Sequence, residues 1–536
     1  MVQEKGDMKL FSACFISLIA TSFGFIVRVF LMDVWQAQFN LTETQKGEIF
    51  GVGLWPFAIS IVLFSLIVDK IGYKVAMVIA FLCHSAYMAI VIAAPTLVES
   101  GASGYWVLYL GSFIGALGNG TIEAVINPVV ATMFSKDKTK WLNILHAGWP
   151  GGLVLGGLLA LAMGDSIDWR FKVALVAIPV LLYGSLILTC KFPVNERVAA
   201  GVSFRDMLKE VGFFGTMLVS VLIVFELANV LEKFGIMIGS DSVLASVNLP
   251  VLGDVDFTEK QAIKFGISAA IAAVVGLYTM SLGRFMFVFL MVIMMPLAIT
   301  ELGTDSWIGD LMTPEMAKLG LKGIWVLIYT SFIMMVLRFC AGPIAHKLSP
   351  LGLLALSAGI AAVGLFSLSL ATGIVILLAA TLYALGKTFF WPTMLGVVAE
   401  QFPKGGALTL NAIAGLGMMA VGILGAPLLG NVQDKEVDKE LRASNPTLHT
   451  QVVGEKKTSV FGEYQPVDDK KVEKANADEK KIITDTKSAA KKNALKTVAL
   501  LPVIMFLAYL SLLLYFYLRG GYKPVQIEGQ PPGDGH

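Results

Sequence analysis

Gly118–Val130 reads GNGTIEAVINPVV and lies inside an apolar run over about residues 105–134. A run of that length can cross a hydrocarbon core about 30 Å thick as a helix. Glu123 is then a carboxylate within a membrane, which costs at least ~2.5 kcal/mol and marks a functional site where it is kept. Asn127 and Pro128 follow it closely, and the figure returns late in the chain as Gly386–Gly396, GKTFFWPTMLG. There Lys387 stands five residues before Pro392, as Glu123 stands five before Pro128. A carboxylate and an ammonium at matching points of two halves point to a central solute cavity.

Composition supports the membrane reading. Of 536 residues, 56% are hydrophobic and 15% charged, whereas soluble domains carry about 25% charged residues. With repeated apolar runs near the spanning length, the fold class is an all-α polytopic membrane protein. A net charge of +2 provides no basic field for nucleic acid. Cys14, Cys83, Cys190 and Cys340 form no CxxC pair, so neither a disulfide frame nor a metal site is indicated. No cofactor is expected. The first run is too long for a signal sequence and reads as an uncleaved span.

Apolar runs fall at roughly 9–31, 46–68, 74–95, 105–134, 141–163 and 168–190, then 211–231 and 264–282. Later runs lie at about 284–300, 321–341, 351–371, 373–398, 407–430 and 496–518, for about 14 spans in all. Thr42-x-x-Gln45 reads as a capping box opening the second helix. Asn40-Leu41-Thr42 within that loop is also a glycosylation sequon, and the cap is the favoured use. Lys70, Lys74, Lys136, Lys138, Lys140, Lys191, Arg197, His346, Lys347 and Lys404 all fall in loops on one face by parity. That face should be cytoplasmic, with both termini on it, in a multi-pass protein of the cell (inner) membrane. Residues 431–495 are polar, rich in both signs of charge and without a sustained apolar period, so a mobile outer loop is expected there.

Four correspondences relate the first six spans to the last six. Asp33-Val34-Trp35 answers Asp305-Ser306-Trp307, and Asp69-Lys70-Ile71-Gly72 answers His346-Lys347-Leu348-Ser349. Glu123-to-Pro128 answers Lys387-to-Pro392, and Leu142-Asn143 answers Leu410-Asn411. Four pairs in one order indicate a parallel internal repeat, two six-helix halves about an axis along the membrane normal. The 211–231 and 264–282 runs have no counterpart and read as an inserted transmembrane hairpin. The expected organisation is a first bundle at 1–192, linker and hairpin at 193–282, and five helices of the second bundle at 283–430. The outer loop at 431–495, a last helix at 496–520 and a cytoplasmic tail at 521–536 complete it.

Ser65-Leu-Ile-Val-Asp69-Lys70-Ile-Gly72-Tyr-Lys74 resembles the loop signature of the major facilitator superfamily, G-x-x-x-D-R-x-G-R-R. Ser65 replaces its first glycine and Tyr73 its first terminal arginine. Glu123-Ala-Val-Ile-Asn127-Pro128, followed by Leu142-Asn143, is similar to the fucose–galactose–glucose:proton symporter branch. That resemblance implies proton coupling and sugar contact at Glu123, and a gate clamp at Asp69, Lys70 and Gly72. The chain departs from the branch in carrying Arg28 where a first-helix carboxylate is usual, His146 for a glutamine, and the buried Lys387.

Arg28, Glu123, Glu301 and Lys387 stand in or near spans, two of each sign. Paired across a cavity they are tolerable in lipid. They can serve coupling, with Glu123 alternating between protonated and ionised forms as cations approach and withdraw, or they can be fixed salt bridges locking the bundle. Asn127, Asn143, His146 and Trp391 supply hydrogen bonds and a stacking face suited to a hydroxyl-rich solute. Arg338 is expected at the inner end of its span, in the second half's clamp or snorkelling. The leading expectation is a proton-coupled sugar symporter working by alternating access. An organic-anion or nucleoside carrier, with Arg28 and Lys387 holding the anion, is the alternative within transport. A receptor or scaffold of transporter-like build is the alternative outside it. No Ser/His/Asp set, HExxH or phosphate loop appears, so an enzyme is not expected.

Overall fold

The computed structural model describes residues 7–164, 166–249, 253–459 and 462–527. Thirteen described helices have the length and apolarity to cross a membrane. In the first half they are α1 Met8–Phe39, α2 Gln45–Ile71, α3 Tyr73–Glu99, α4 Gly104–Met133, α5 Lys138–Met163 and α6 Trp169–Thr189. The inserted pair is α7 Phe204–Lys233 and α8 Glu259–Thr279. The second half has α9 Phe285–Ser306, the shorter α10 Ile324–Phe339, α11 Pro350–Leu370, α12 Val375–Gln401, α13 Pro403–Ser444 and α14 Ala477–Tyr517. With α10 the count reaches the fourteen expected, and the helices form a polytopic membrane bundle.

Local chemistry sets the helix ends. Asp7 accepts from the N–H of Lys9 and Leu10 to start α1. At α2 the Thr42 hydroxyl accepts from Gln45 N (3.2 Å) while Gln45 Oε1 accepts from Thr42 N (3.0 Å), so the sequon threonine is used as a cap. Gly72, at φ 85°, makes the reversal between α2 and α3 that a residue with a Cβ resists.

Glycine sets the closest helix approaches. An ideal Cβ on Gly120 (α4) would lie 1.9 Å from Ser60 Oγ of α2, and one on Gly152 (α5) 2.0 Å from Ser22 Oγ of α1. On Gly386 (α12) it would lie 2.3 Å from the Ala361 backbone nitrogen of α11. Small residues permit such contacts, which dispersion and hydrogen bonds then stabilise in lipid.

The inserted pair packs on the second half. Helix α7 bends at Gly212 (φ 55°, ψ −156°). There Phe213 N donates to Ser281 O (3.1 Å) and Arg284 N to Glu210 O (3.1 Å), tying the bend to the α8–α9 connection. At the opposite end α7 and α8 are joined by an antiparallel hairpin, β1 Val243–Leu249 with β2 Gly253–Thr258.

The segment read as a mobile loop at 431–495 departs from that expectation. Helix α13 runs on through Ser444, a short helix covers Pro446–Val452, and α14 begins at Ala477. Val437, Leu441, Leu448, Val452, Ile483 and Ala490 form a small apolar core of their own. A second hairpin, β3 Lys457–Ser459 with β4 Gly462–Tyr464, lies against β2. Helical spacings at 437/441, 448/452 and 483/490 are sparse, at most one apolar residue per turn against a dense charged background.

Replacing Gly386 by valine drives a side chain into the α11 backbone. Overpacking of this kind is expected to destabilise by about 1–3 kcal/mol. A lowered melting temperature of the purified protein in detergent, with Leu378→Val on the exposed face (71%) unchanged, checks it.

Candidate functional site

Proline organises the centre of each half. Pro128 lies inside α4 and has no N–H, so the Ala124 carbonyl one turn earlier loses its helical donor. Asn411 of α13 supplies the replacement, its Nδ2 donating to Ala124 O at 2.9 Å. Pro392, at the matching point of α12, frees the Thr388 carbonyl in the same way. Arg338 of α10 takes it, Nε donating at 2.7 Å. The sequence repeat therefore corresponds to two backbone gaps, each filled by a side chain from another span.

From Pro128 a polar chain runs across the molecule. Asn127 Nδ2 donates to Glu123 Oε2 (2.8 Å) and to Glu123 O (3.1 Å). Its Oδ1 is 2.8 Å from His146 Nε2 on α5, so with this amide orientation the imidazole donates. The His146 carbonyl in turn accepts from Arg338 Nη1 (2.7 Å), and Arg338 Nη2 donates to Glu301 Oε1 (2.7 Å). Glu301 Oε2 accepts from the Trp391 backbone N–H at 3.0 Å. Glu301 sits in the π-helical turn Ile299–Gly303, a local widening frequent at functional sites.

Lys387 is not part of that chain. It forms a buried ion pair with Asp305 of α9, and its Nζ stands 5.0 Å from the Tyr383 ring centroid. Tyr383 donates to Thr300 O at 2.5 Å. Asn143 Nδ2 spans the halves, donating to Thr139 O (2.9 Å) and Thr393 Oγ1 (3.1 Å). The Oδ1 atoms of Asn143 and Asn411 are buried without a partner among the described residues.

The expected constellation is thus brought together in part, with different partners. Glu123, Asn127, His146, Glu301 and the Trp391 backbone fall on one network. The cation beside Glu301 is Arg338 and not Lys387, and the anion beside Lys387 is Asp305. Arg28 reaches neither; it lies 5.9 and 5.7 Å from the Phe25 and Phe50 rings. The Trp391 ring is buried and close to Gly417, where an ideal Cβ would be 3.1 Å from Cζ3, so in this state it packs instead of offering a free stacking face.

Arg338 corrects the sequence expectation most clearly. It neither snorkels nor sits in a peripheral clamp: its side chain is 1% exposed. Gly342 and Pro343 made the apolar run seem to end just beyond it, whereas helix Ala341–Leu348 continues the chain. Asp305 was legible only as a repeat marker, because a residue just outside an apolar run gives no sign of where its side chain is directed.

At the end of the bundle shared by the two termini, Asp69 pairs with Arg197 of the linker (2.5 Å), and Lys70 Nζ lies 5.9 Å from the Phe204 ring. The contacts between halves are elsewhere. Lys138 pairs with Glu196 (2.6 Å) and also donates to Ala399 O (3.3 Å). Thr139 Oγ1 donates to Glu400 Oε1 (2.5 Å). The tail then adds Tyr522 OH to Glu400 Oε2 (2.8 Å) and Val525 N to Glu400 O (2.8 Å). Glu400 was missed in the sequence because it closes an apolar run, where a charge is ordinary.

The family model for the Major Facilitator Superfamily matches residues 10–427. The gentisate transporter of Corynebacterium glutamicum is 25% identical over 186 residues, 34% of this chain and 40% of that protein. The chain therefore matches well under half of that relative's length. The human organic anion transporter MFSD10 has a TM-score of 0.55 at 11% identity, covering 95% of this chain and 100% of its own. The E. coli fucose:proton symporter has a TM-score of 0.51 at 15% identity, covering 92% and 98%. At these identities the structural likeness concerns the fold.

Removing one member of a buried ion pair leaves the other charge uncompensated, at about 3–5 kcal/mol. Glu301→Gln and Arg338→Met are each expected to lower thermal stability by an amount in that range. The double variant should recover part of the loss, and additive losses in a double-mutant cycle would contradict the coupling.

Proposed function

The chain belongs to the major facilitator superfamily, and from that premise we propose that it is a proton-coupled symporter of a small neutral polar solute, most simply a sugar, working by alternating access. It is a transporter and its family is not one of enzymes. The observation that carries the coupling is the setting of Glu123. That carboxylate is 4% exposed, and among the described residues its side chain has Asn127 as hydrogen-bond partner and no cation in salt-bridge range. It can therefore gain or lose a proton without breaking an ion pair. In a site of low dielectric the charge of the ionised form is felt strongly, and protonation removes it.

The link to movement runs through Asn127 and His146 to the Arg338 guanidinium in the other half. When the halves rock apart, the bond from Arg338 to His146 O opens, and with it the orientation of the imidazole that holds Asn127. Glu123 would then exchange its proton on one side and be closed off on the other. The solute would bind between the halves at Asn127, Asn143, His146, Glu301, Trp391 and Asn411.

Charge pairing favours a neutral solute. Glu301 is matched by Arg338 and Lys387 by Asp305, so these four charges cancel in pairs. The open acceptors of Asn143 and Asn411 suit hydroxyl groups, which donate and accept together. A second reading, an organic anion, is favoured by the unpaired Arg28. Placement in the cell membrane with both termini cytoplasmic, as the lysine-rich loops indicate, completes the proposal and makes the Lys138, Thr139 and Glu400 contacts an inner gate.

The test is solute uptake into proteoliposomes under an imposed pH gradient, with competition by neutral sugars against organic acids. For Glu123→Gln, gradient-driven accumulation is expected to fall ~10-fold or more, as site-to-site coupling energies imply. Exchange of solute across the membrane should persist. Accumulation by the variant equal to wild type, or uptake blocked by acids and not by sugars, would remove the sugar:proton reading.

A further inference from the structure

Arg28 belongs to a second polar site, within the first half and separate from the Glu123 network. It lines a cavity between α1, α3 and α4 together with His84, Tyr87, Ser112 and Asn119. The room inside is about 20 Å³, enough for one water or one monatomic ion. A sugar or an aromatic acid does not fit there.

The donors around this space are unmatched. Arg28 is 5% exposed, and among the described residues it makes no hydrogen bond or ion pair; its Nε is buried without a partner. Its guanidinium is pressed against the Gly53 backbone, where an ideal Cβ would fall 1.7 Å from Nη1. Tyr87 OH and Ser112 Oγ, on the same cavity, are also buried with no partner among the described residues. His84 is already engaged, by Asn119 Oδ1 at 2.8 Å and Tyr183 OH at 3.2 Å. One fixed cation and two rotatable hydroxyls therefore face a water-sized space, and no carboxylate among the described residues lines it.

We propose that this cavity is a binding site for a monatomic anion, chloride under physiological conditions, held by Arg28, Tyr87 and Ser112. Buried charges persist when paired or coordinated. A water could accept from these donors but would leave the guanidinium charge uncompensated. A halide accepts from all three and neutralises it, and Phe25 lines the same space. The inference is independent of proton coupling at Glu123, since it concerns a different cavity. It also assigns Arg28 to an inorganic ion in place of the solute.

The full-length protein, purified in detergent at constant ionic strength, is melted while sodium gluconate is replaced by chloride or bromide. The melting temperature is expected to rise saturably with both halides. Tyr87→Phe combined with Ser112→Ala should raise the half-saturating concentration by ~100-fold or more, the equivalent of two lost hydrogen bonds to an ion. Arg28→Met should abolish the response. If that variant does not fold, the double variant, which keeps the charge in place, decides the matter. No halide-dependent shift in wild type, or an unchanged half-saturation in the double variant, overturns the proposal. Acetate stabilising as well as chloride would assign the site to carboxylates and overturn it too.

Discussion

The central contact between the two halves depends on one guanidinium whose three nitrogens each donate to a separate acceptor. Arg338 reaches the Thr388 carbonyl, the His146 carbonyl and the Glu301 carboxylate, each at 2.7 Å. Two of these acceptors belong to its own half and fix its position. The third, His146 O, lies in the other half. A hydrogen bond to a charged group contributes about 1.5–3 kcal/mol. The neutral ties across the same interface, Asn411 to Ala124 O and Asn143 to Thr393, add about 0.5–1.5 kcal/mol each. The sum is a few kcal/mol, the scale on which a two-state conformational equilibrium can be shifted by a ligand. Had the Glu301–Arg338 pair itself straddled the halves, each opening would have stranded a buried charge, a far larger penalty.

The prolines explain why these ties occur where they do. A helix interior normally has no carbonyl free for a neighbour, since each is used by the N–H four residues on. Pro128 and Pro392 release one each, at equivalent depths of α4 and α12. The partners differ: a neutral amide fills the first gap from the opposite half, and a cation fills the second from its own half. The repeat is thus symmetric in backbone and asymmetric in charge.

Much of the architecture was legible because burial in lipid writes it into composition. The fourteen apolar runs, the unpaired hairpin and the Thr42–Gln45 cap all rest on local pattern. The partners of the buried charges were not, because pairing is set by helix rotation and depth, which local pattern does not determine. Arg28, Glu123, Glu301 and Lys387 were grouped because each stands in or near a span, whereas α9 turns Glu301 toward α10 and Asp305 toward α12. The π turn at Ile299–Gly303 contributes to that divergence, adding a residue to one turn and rotating the helix beyond it. The folded segment after α13 was hidden for another reason: a minimal core needs few apolar residues, and six among many charges resemble a solvated linker.

The charge pairing divides the labour between the halves. In the second half Glu301 pairs with Arg338 and Asp305 with Lys387, so these four charges cancel one another. In the first half Glu123 and Arg28 stand apart from each other, in different surroundings and without ionic partners among the described residues. An uncompensated buried charge is costly unless something mobile relieves it. For the carboxylate the relief available is a proton, and for the guanidinium it is an anion. On the proposed reading, ion dependence would be concentrated in α1 and α4, while the opposite half would supply the fixed lever, Arg338, against which they move.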